Sequence, residues 1–205
     1  MSILKLSLTV LFMPSDTFYI VKRERTRSML APSLAILASL LVTRVIYVRF
    51  LHYPVSPFNL TRMNIGYDLA LFAIIALSWS LGAYMMSAIM GGSSFWNETL
   101  YATMLAAMPL VALQIPIVLL SRVMGSSEYT LLRIPQMIMW AWTIALVFRG
   151  VQVLNEYTFW ETFGVTVLSI LFVALLWCLI IMLIVFSMNF WQFIYGFFIE
   201  LSIGV

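Results

Sequence analysis

The chain has 205 residues, of which 63% are hydrophobic and 9% are charged, and its mean hydropathy is +1.05. Soluble domains carry about 25% charged residues, so this composition excludes an ordinary water-soluble enzyme. The net charge of +3 does not indicate a nucleic-acid partner, because five of the eleven basic residues lie within the first 27 positions. Such a cluster is typical of a membrane topology signal that also touches anionic headgroups.

Residues 1–27 are predicted to form a cytoplasmic amphipathic segment. The Pro-Ser-Asp sequence at 14–16 predicts a helix start, with Ser15 or Asp16 as its N-cap. Apolar side chains of this helix are expected to lie in the membrane interface, namely Phe18, Tyr19 and Val21. Its basic side chains are expected to stay in the headgroup layer as a candidate interfacial anchor, namely Lys22, Arg23, Arg25 and Arg27.

Five apolar stretches follow, each close to or above the roughly 20 residues that cross about 30 Å of hydrocarbon. They cover residues 28–50, 66–90, 99–121, 131–148 and 163–188, and turn-forming loops separate them, including 150–162. The predicted fold is an all-α polytopic membrane helix bundle of about five transmembrane helices, with interfacial helices at the termini. The transmembrane domain covers 28–190, and 191–205 forms a carboxyl-terminal interfacial segment or a partial sixth span.

The distribution of Lys and Arg predicts the orientation of the chain. With the amino terminus inside, the five basic residues of 1–27 and Arg149 lie on the cytoplasmic side. Four arginines then lie outside: Arg49, Arg62, Arg122 and Arg133. The tail beside the first span usually dominates, so we expect a multi-pass protein of the cell membrane with a cytoplasmic amino terminus and an extracytoplasmic carboxyl terminus.

Arg44 is the sharpest polar feature of the spans, because it lies about two turns inside the first one. An unpaired charge at that depth costs up to a few kcal/mol, so it needs a partner or water. Asp68 begins the second span at the same membrane face, and an Arg44–Asp68 contact would join the two helices. The alternative is that Arg44 extends to the outer headgroups.

The third span contains Pro109 and Pro116, with Gln114 between them. Each proline leaves a carbonyl without its usual amide donor, so the helix is predicted to bend and to need a partner from neighbours, water or Gln114. These positions would either line a substrate path or form a kink that suits helix packing. Ser78 and Gly82 give the second span a face of small residues for close helix contact.

The sequence predicts no catalytic residue, no metal site and no cofactor. Its one histidine, His52, stands in a proline-rich loop without cysteine or acidic neighbours at metal-ligand spacing. A phosphate-binding loop of the form G-x-x-x-x-G-K is absent. Nucleotide hydrolysis by this chain is therefore not expected.

Three segments carry a resemblance to a known family: 13–25 (MPSDTFYIVKRER), 109–121 (PLVALQIPIVLLS) and 155–158 (NEYT). The chain resembles the Yip family of Ypt/Rab-interacting membrane proteins, most closely its bacterial branch, over nearly its whole length. The family's Gly-Tyr pair before the third-span proline is replaced by Met104 and Leu105, which weakens the case for a GTPase partner. The resemblance implies five spans and association with ABC-type carbohydrate importers.

The sequence thus favours a non-enzymatic accessory or scaffold subunit of a membrane complex. Its expected partners are the lipid bilayer and other membrane proteins, with the permease subunits of an ABC importer implied by the resemblance. One alternative is an independent small transporter or channel that uses Arg44, Asp68 and the polar break of the third span. Another is a membrane-shaping protein that acts through the interfacial helices at its ends.

Overall fold

A computed structural model describes residues 3–24, 29–51, 64–124 and 128–203, and the regular structure in these ranges is helical. Eight α-helices follow one another in the described part of the chain: α1 (Ile3–Phe12), α2 (Pro14–Arg23), α3 (Leu30–Phe50), α4 (Ile65–Ile89), α5 (Trp96–Ala106), α6 (Met108–Val123), α7 (Tyr129–Asn155) and α8 (Phe159–Ile203). Five units are long and apolar enough to cross a membrane: α3, α4, α5 with α6, α7 and α8. The predicted all-α bundle is confirmed.

The third span is broken, as its prolines predict. The N–H of Ala107 donates to the carbonyls of Thr103 and Met104, both at 3.2 Å, and α5 ends there. Pro109 then lies in the first turn of α6, where a missing N–H removes no helix hydrogen bond. Pro116 stays inside α6. The bend therefore arises at Pro109, and α6 continues through the second proline.

The two amino-terminal helices are part of the bundle. Helix α1 packs against α2, α5 and α6, and α2 packs chiefly against α7. Val10, Phe18 and Val21 are at most 2% exposed and share one core cluster with the spans. The interfacial placement predicted for Phe18 and Val21 is therefore wrong, because their helix face meets α7 instead of lipid.

The start of α2 also differs from the prediction. Met13 occupies the N-cap position without a side-chain hydrogen bond, and Pro14 is the first helical residue. Pro14 suits that position because its fixed φ matches the helix and its missing N–H would have no partner there. Ser15 and Asp16 lie inside the first turn, so the N-cap predicted at one of them is wrong.

Helix α7 runs seven residues beyond the predicted end of the fourth span, to Asn155. The loop predicted for 150–162 is therefore wrong over most of its length. The Cβ position of Gly150 lies 3.4 Å from the ring of Phe18, an ordinary van der Waals distance, so Phe18 packs directly on this turn of a continuous helix. Glu156 ends α7 in the left-handed conformation, with φ of 57°.

Helix α8 begins at Phe159 behind a capping box. The Thr158 N–H donates to Glu161 Oε2 at 2.8 Å, and the Glu161 N–H reaches Thr158 Oγ1 at 3.5 Å. The helix then continues for 45 residues, about 68 Å at 1.5 Å per residue. It has no break at the boundary predicted between the fifth span and a terminal interfacial segment.

Close packing of α4 on α8 uses the predicted small-residue face. A Cβ on Gly82 would lie 2.5 Å from Val173 Cγ2, and Trp177 Nε1 donates to Ser78 Oγ at 3.3 Å. Large side chains at these α4 positions would force the helices apart. The small-residue face is therefore confirmed as a helix contact.

Candidate functional site

Arg44 and Asp68 form a two-pronged ion pair between α3 and α4. Arg44 Nε donates to Asp68 Oδ2 at 2.9 Å, and Arg44 Nη2 donates to Oδ1 at 3.1 Å. The two side chains are 14% and 16% exposed. The predicted contact is present, and this parallel geometry is the strongest way an arginine binds a carboxylate.

Aromatic and amide side chains surround this ion pair. The Arg44 guanidinium lies 5.8 Å from the ring centre of Tyr47 and 5.7 Å from that of Phe72, within the range of cation–π attraction. The Tyr47 hydroxyl accepts a hydrogen bond of 2.8 Å from Gln136 Nε2. We call Arg44, Tyr47, Asp68, Phe72 and Gln136 the Arg44 cluster. The cluster joins α3, α4 and α7. Within it, the carboxylate of Asp68 compensates the positive charge of Arg44.

The polar break of the third span lies in packed protein. Gln114 is 2% exposed, and its Oε1 has no hydrogen-bond partner in the part of the chain that the structure describes. It shares a helix face with Leu110, Ile117 and Ser121, which are all buried. Gln114 therefore belongs to the contact of α6 with its neighbours α3 and α7.

A second polar cluster lies at the other end of the bundle, around Asn155. Asn155 Nδ2 donates to Ser87 Oγ at 3.2 Å and to the Val151 carbonyl at 3.0 Å. Its Oδ1 accepts from the Ser94 N–H at 3.2 Å. This one buried amide thus joins the end of α4, the loop before α5 and the end of α7.

Tyr157 and Gly92 complete the same arrangement. The Tyr157 hydroxyl donates to the Ser87 carbonyl at 3.1 Å, and burial raises the pKa of this phenol above its usual value. A Cβ on Gly92 would lie 2.4 Å from Asn155 Oδ1 and 2.6 Å from Tyr157 Oη. Only glycine fits there. We call Ser87, Gly92, Ser94, Asn155 and Tyr157 the turn junction.

The sequence did not predict the turn junction as a site, although it shows both segments that contribute residues to it. Asn155 and Tyr157 lie in the NEYT segment, and Gly92 belongs to a Gly-Gly-Ser-Ser loop.

The separation of the two polar clusters can be measured along α4. Ser87 and Asp68 are 19 residues apart on this helix, or about 28 Å. The Arg44 cluster and the turn junction therefore lie about one hydrocarbon thickness apart.

An open groove next to the turn junction contains most of the described part of the predicted interfacial anchor. Tyr19, Lys22, Arg23 and Glu156 line it, and its volume is about 410 Å³. Lys22 Nζ lies 2.9 Å from Glu156 Oε1. Hydrogen bonding to Lys22, and then its charge, hold the pKa of the Glu156 carboxyl below its usual value. The other anchor residues, Arg25 and Arg27, lie outside the described residues, as does His52.

Metal-ligating side chains are scattered over the described ranges. Across those ranges, three or more His, Cys, Asp or Glu side chains do not come together at metal-binding distance. A small cavity of about 10 Å³ lies between α4, α5 and α7, lined by residues that include Trp79, Thr103 and Asn155. That volume is about enough for one water molecule.

These features define a multi-pass helical membrane protein whose spans are fastened by one charged and one neutral polar cluster. Comparisons of the chain with protein-family models, with curated proteins and with solved structures found no match.

Proposed function

We propose that this chain is a non-enzymatic accessory subunit that binds a partner membrane protein through the second half of α8. The observation that carries this proposal is the exposure of residues 178–193. All sixteen of these successive residues are exposed, so no described residue covers any face of the helix there. The first half of α8, in contrast, packs on α4 and α7. Trp177, just before the exposed residues, still donates a hydrogen bond to Ser78 of α4.

The length and the polar residues of α8 favour a protein partner for this unpacked half. At about 68 Å, the helix is much longer than the roughly 30 Å of hydrocarbon that one span needs. Asn189 and Gln192 are exposed and three positions apart on one face of α8, and their side chains form no hydrogen bond with any described residue. Amide side chains in membrane helices form hydrogen bonds across helix pairs.

The partner chemistry is therefore that of transmembrane helices that offer hydrogen-bonding groups to Asn189 and Gln192. The resemblance to the bacterial branch of the Yip family suggests the permease subunits of an ABC-type carbohydrate importer at the cell membrane. The paired charges of the Arg44 cluster support an accessory role over an independent transporter, because a compensated ion pair fastens helices without needing a substrate.

Affinity purification from native membranes in mild detergent tests this proposal, followed by mass spectrometry of the proteins that co-purify. Permease and ATPase subunits recovered in fixed proportion with the wild-type chain are the expected result. The double variant Asn189→Ala, Gln192→Ala is expected to lose most of that recovery, whereas Asn97→Ala, at an exposed site on α5, retains it. A chain that purifies alone, or only with itself, overturns the proposal.

A further inference from the structure

The groove lined by Tyr19, Lys22, Arg23 and Glu156 carries chemistry that the accessory role does not use. The Arg23 side chain forms no ion pair or hydrogen bond with the described residues, and Tyr19 is 62% exposed. Lys22 Nζ lies 2.9 Å from Glu156 Oε1, so this carboxylate already occupies the ammonium group before a ligand arrives. Two cationic groups and an aromatic ring therefore face one open space of about 410 Å³.

The groove is a formed feature of the bundle, because α2 is fixed along its length. Phe18 and Val21 are buried on the opposite side of the helix. Arg149 Nε donates to Ser15 Oγ at 3.0 Å, and this contact ties the first turn of α2 to α7. The cationic side chains of α2 are thus carried by a helix that packs on the bundle, which lowers the backbone ordering cost of binding a ligand.

The position of the groove along α7 indicates which ligand reaches it. The apolar stretch of α7 covers Thr130–Asn155, and Glu156 lies about 13 residues from its middle, or about 20 Å. The hydrocarbon ends about 15 Å from the bilayer midplane, and the headgroup layer ends about 20–22 Å from it. With the middle of this stretch at the bilayer midplane, Glu156 and the groove beside it lie in the outer part of the headgroup layer, where lipid phosphates are within reach of Lys22 and Arg23.

We propose that this groove binds the phosphate of an anionic membrane lipid, with Lys22 and Arg23 as hydrogen-bond donors and Tyr19 beside the glycerol backbone. Glu156 competes with the phosphate for Lys22. Lipid binding would therefore release Glu156, the left-handed residue that ends α7, and connect the surrounding lipid to the α7–α8 turn.

Native mass spectrometry of the full chain in detergent, titrated with phosphatidylglycerol or phosphatidylcholine, tests this site. We expect Arg23→Gln to weaken phosphatidylglycerol binding about fivefold, as the loss of one basic contact does near an anionic surface. Glu156→Gln is expected to strengthen it, because Lys22 loses its competitor. Arg133→Gln is the matched control, since this exposed arginine at the opposite end of α7 also has no described partner.

The titration separates the proposal from its competitors. Equal affinity of wild type and Arg23→Gln for phosphatidylglycerol overturns the site, and so does equal affinity for both lipids. Weaker binding by Glu156→Gln overturns the competition between Glu156 and phosphate. Inorganic phosphate that displaces phosphatidylglycerol at comparable concentration overturns the lipid source in favour of a soluble phosphate. Because Arg23 has no described contact in the fold, its replacement is expected to leave the melting temperature unchanged.

Discussion

The Arg44 cluster and the turn junction fasten opposite ends of the same bundle by different chemistry. The first joins α3, α4 and α7 around a full ion pair, and the second joins α4, α7 and the loop before α5 with neutral amide and hydroxyl groups. An unpaired charge near hydrocarbon is costly, so Arg44 is tied to one specific partner. The turn junction instead provides hydrogen-bond partners for backbone groups at helix ends. Several kinds of short polar side chain can do this, so its residues are less strictly specified than the ion pair.

Breaking the ion pair is the largest perturbation that we expect. Arg44→Ala leaves the Asp68 carboxylate unpaired in a site where its side chain is 16% exposed. Removing one partner of a buried pair typically costs about 3–5 kcal/mol, and the partial exposure here places this variant at or below the lower end. The melting temperature in detergent should fall, together with expression in the membrane.

The double variant Arg44→Met, Asp68→Leu separates the cost of an unpaired charge from the loss of packing between α3 and α4. Replacing both partners by apolar residues of similar size is often nearly neutral, so most of the lost stability should return. An Arg44→Ala chain with unchanged expression and melting would show that the pair does not stabilise the bundle.

Asn155→Ala should have the next largest effect, because it removes three hydrogen bonds at a site that is 8% exposed. Leaving buried groups such as the Ser94 N–H without a partner costs about 1–3 kcal/mol. Asn189→Ala is the control, since that amide is exposed on α8 and its loss should not change the melting of the isolated chain. Equal melting of the two variants would argue against the turn junction as a fastening point.

Glycine substitutions test how tightly the turn junction is packed. Gly92→Ala is expected to destabilise the chain by about 1–3 kcal/mol, since its Cβ would displace Asn155 and Tyr157. Gly164→Ala, a helical site with no atom within 4 Å of the added Cβ, should instead stabilise α8 by up to about 1 kcal/mol. Thermal unfolding should show a lower melting temperature for Gly92→Ala and a higher one for Gly164→Ala than for the wild-type chain. A melting temperature that does not fall in Gly92→Ala would contradict the close packing of the turn junction.

The Lys22–Glu156 pair should show the smallest effect, and it depends on pH. Because Lys22 lowers the pKa of Glu156 in the folded chain, the pair's contribution is present above the unfolded pKa and is lost as pH falls through the folded one. Carbonyl NMR of labelled glutamate should give a titration midpoint for Glu156 below 4.5, and Lys22→Gln should raise it. An identical midpoint in both chains would contradict the pairing.

Local signals in the sequence predicted much of this structure. The apolar stretches gave all five spans, and Pro109 predicted the break in the third. Arg44 and Asp68 could be paired in advance because a charge inside a span has few places to find a partner.

What escaped prediction depends on contacts between distant segments. The apolar face of α2 has the same sequence pattern whether Phe18 contacts lipid or α7. The sequence alone therefore does not distinguish a helix in the membrane interface from one packed on the bundle. Gly150 has the sequence pattern of a loop residue, because its contact with Phe18 is visible only once α2 is in place. Asn155 likewise gained its meaning from Ser87 and Ser94, which lie more than 60 positions away.

The contact between α2 and α7 also sets an order of events during synthesis. Ser15 and Arg149 are 134 positions apart, and chains grow at about 5–20 residues per second. On the order of ten seconds therefore pass before the surface that buries Phe18 exists. Docking of α2 on α7 therefore follows the synthesis of the fourth span and cannot precede it.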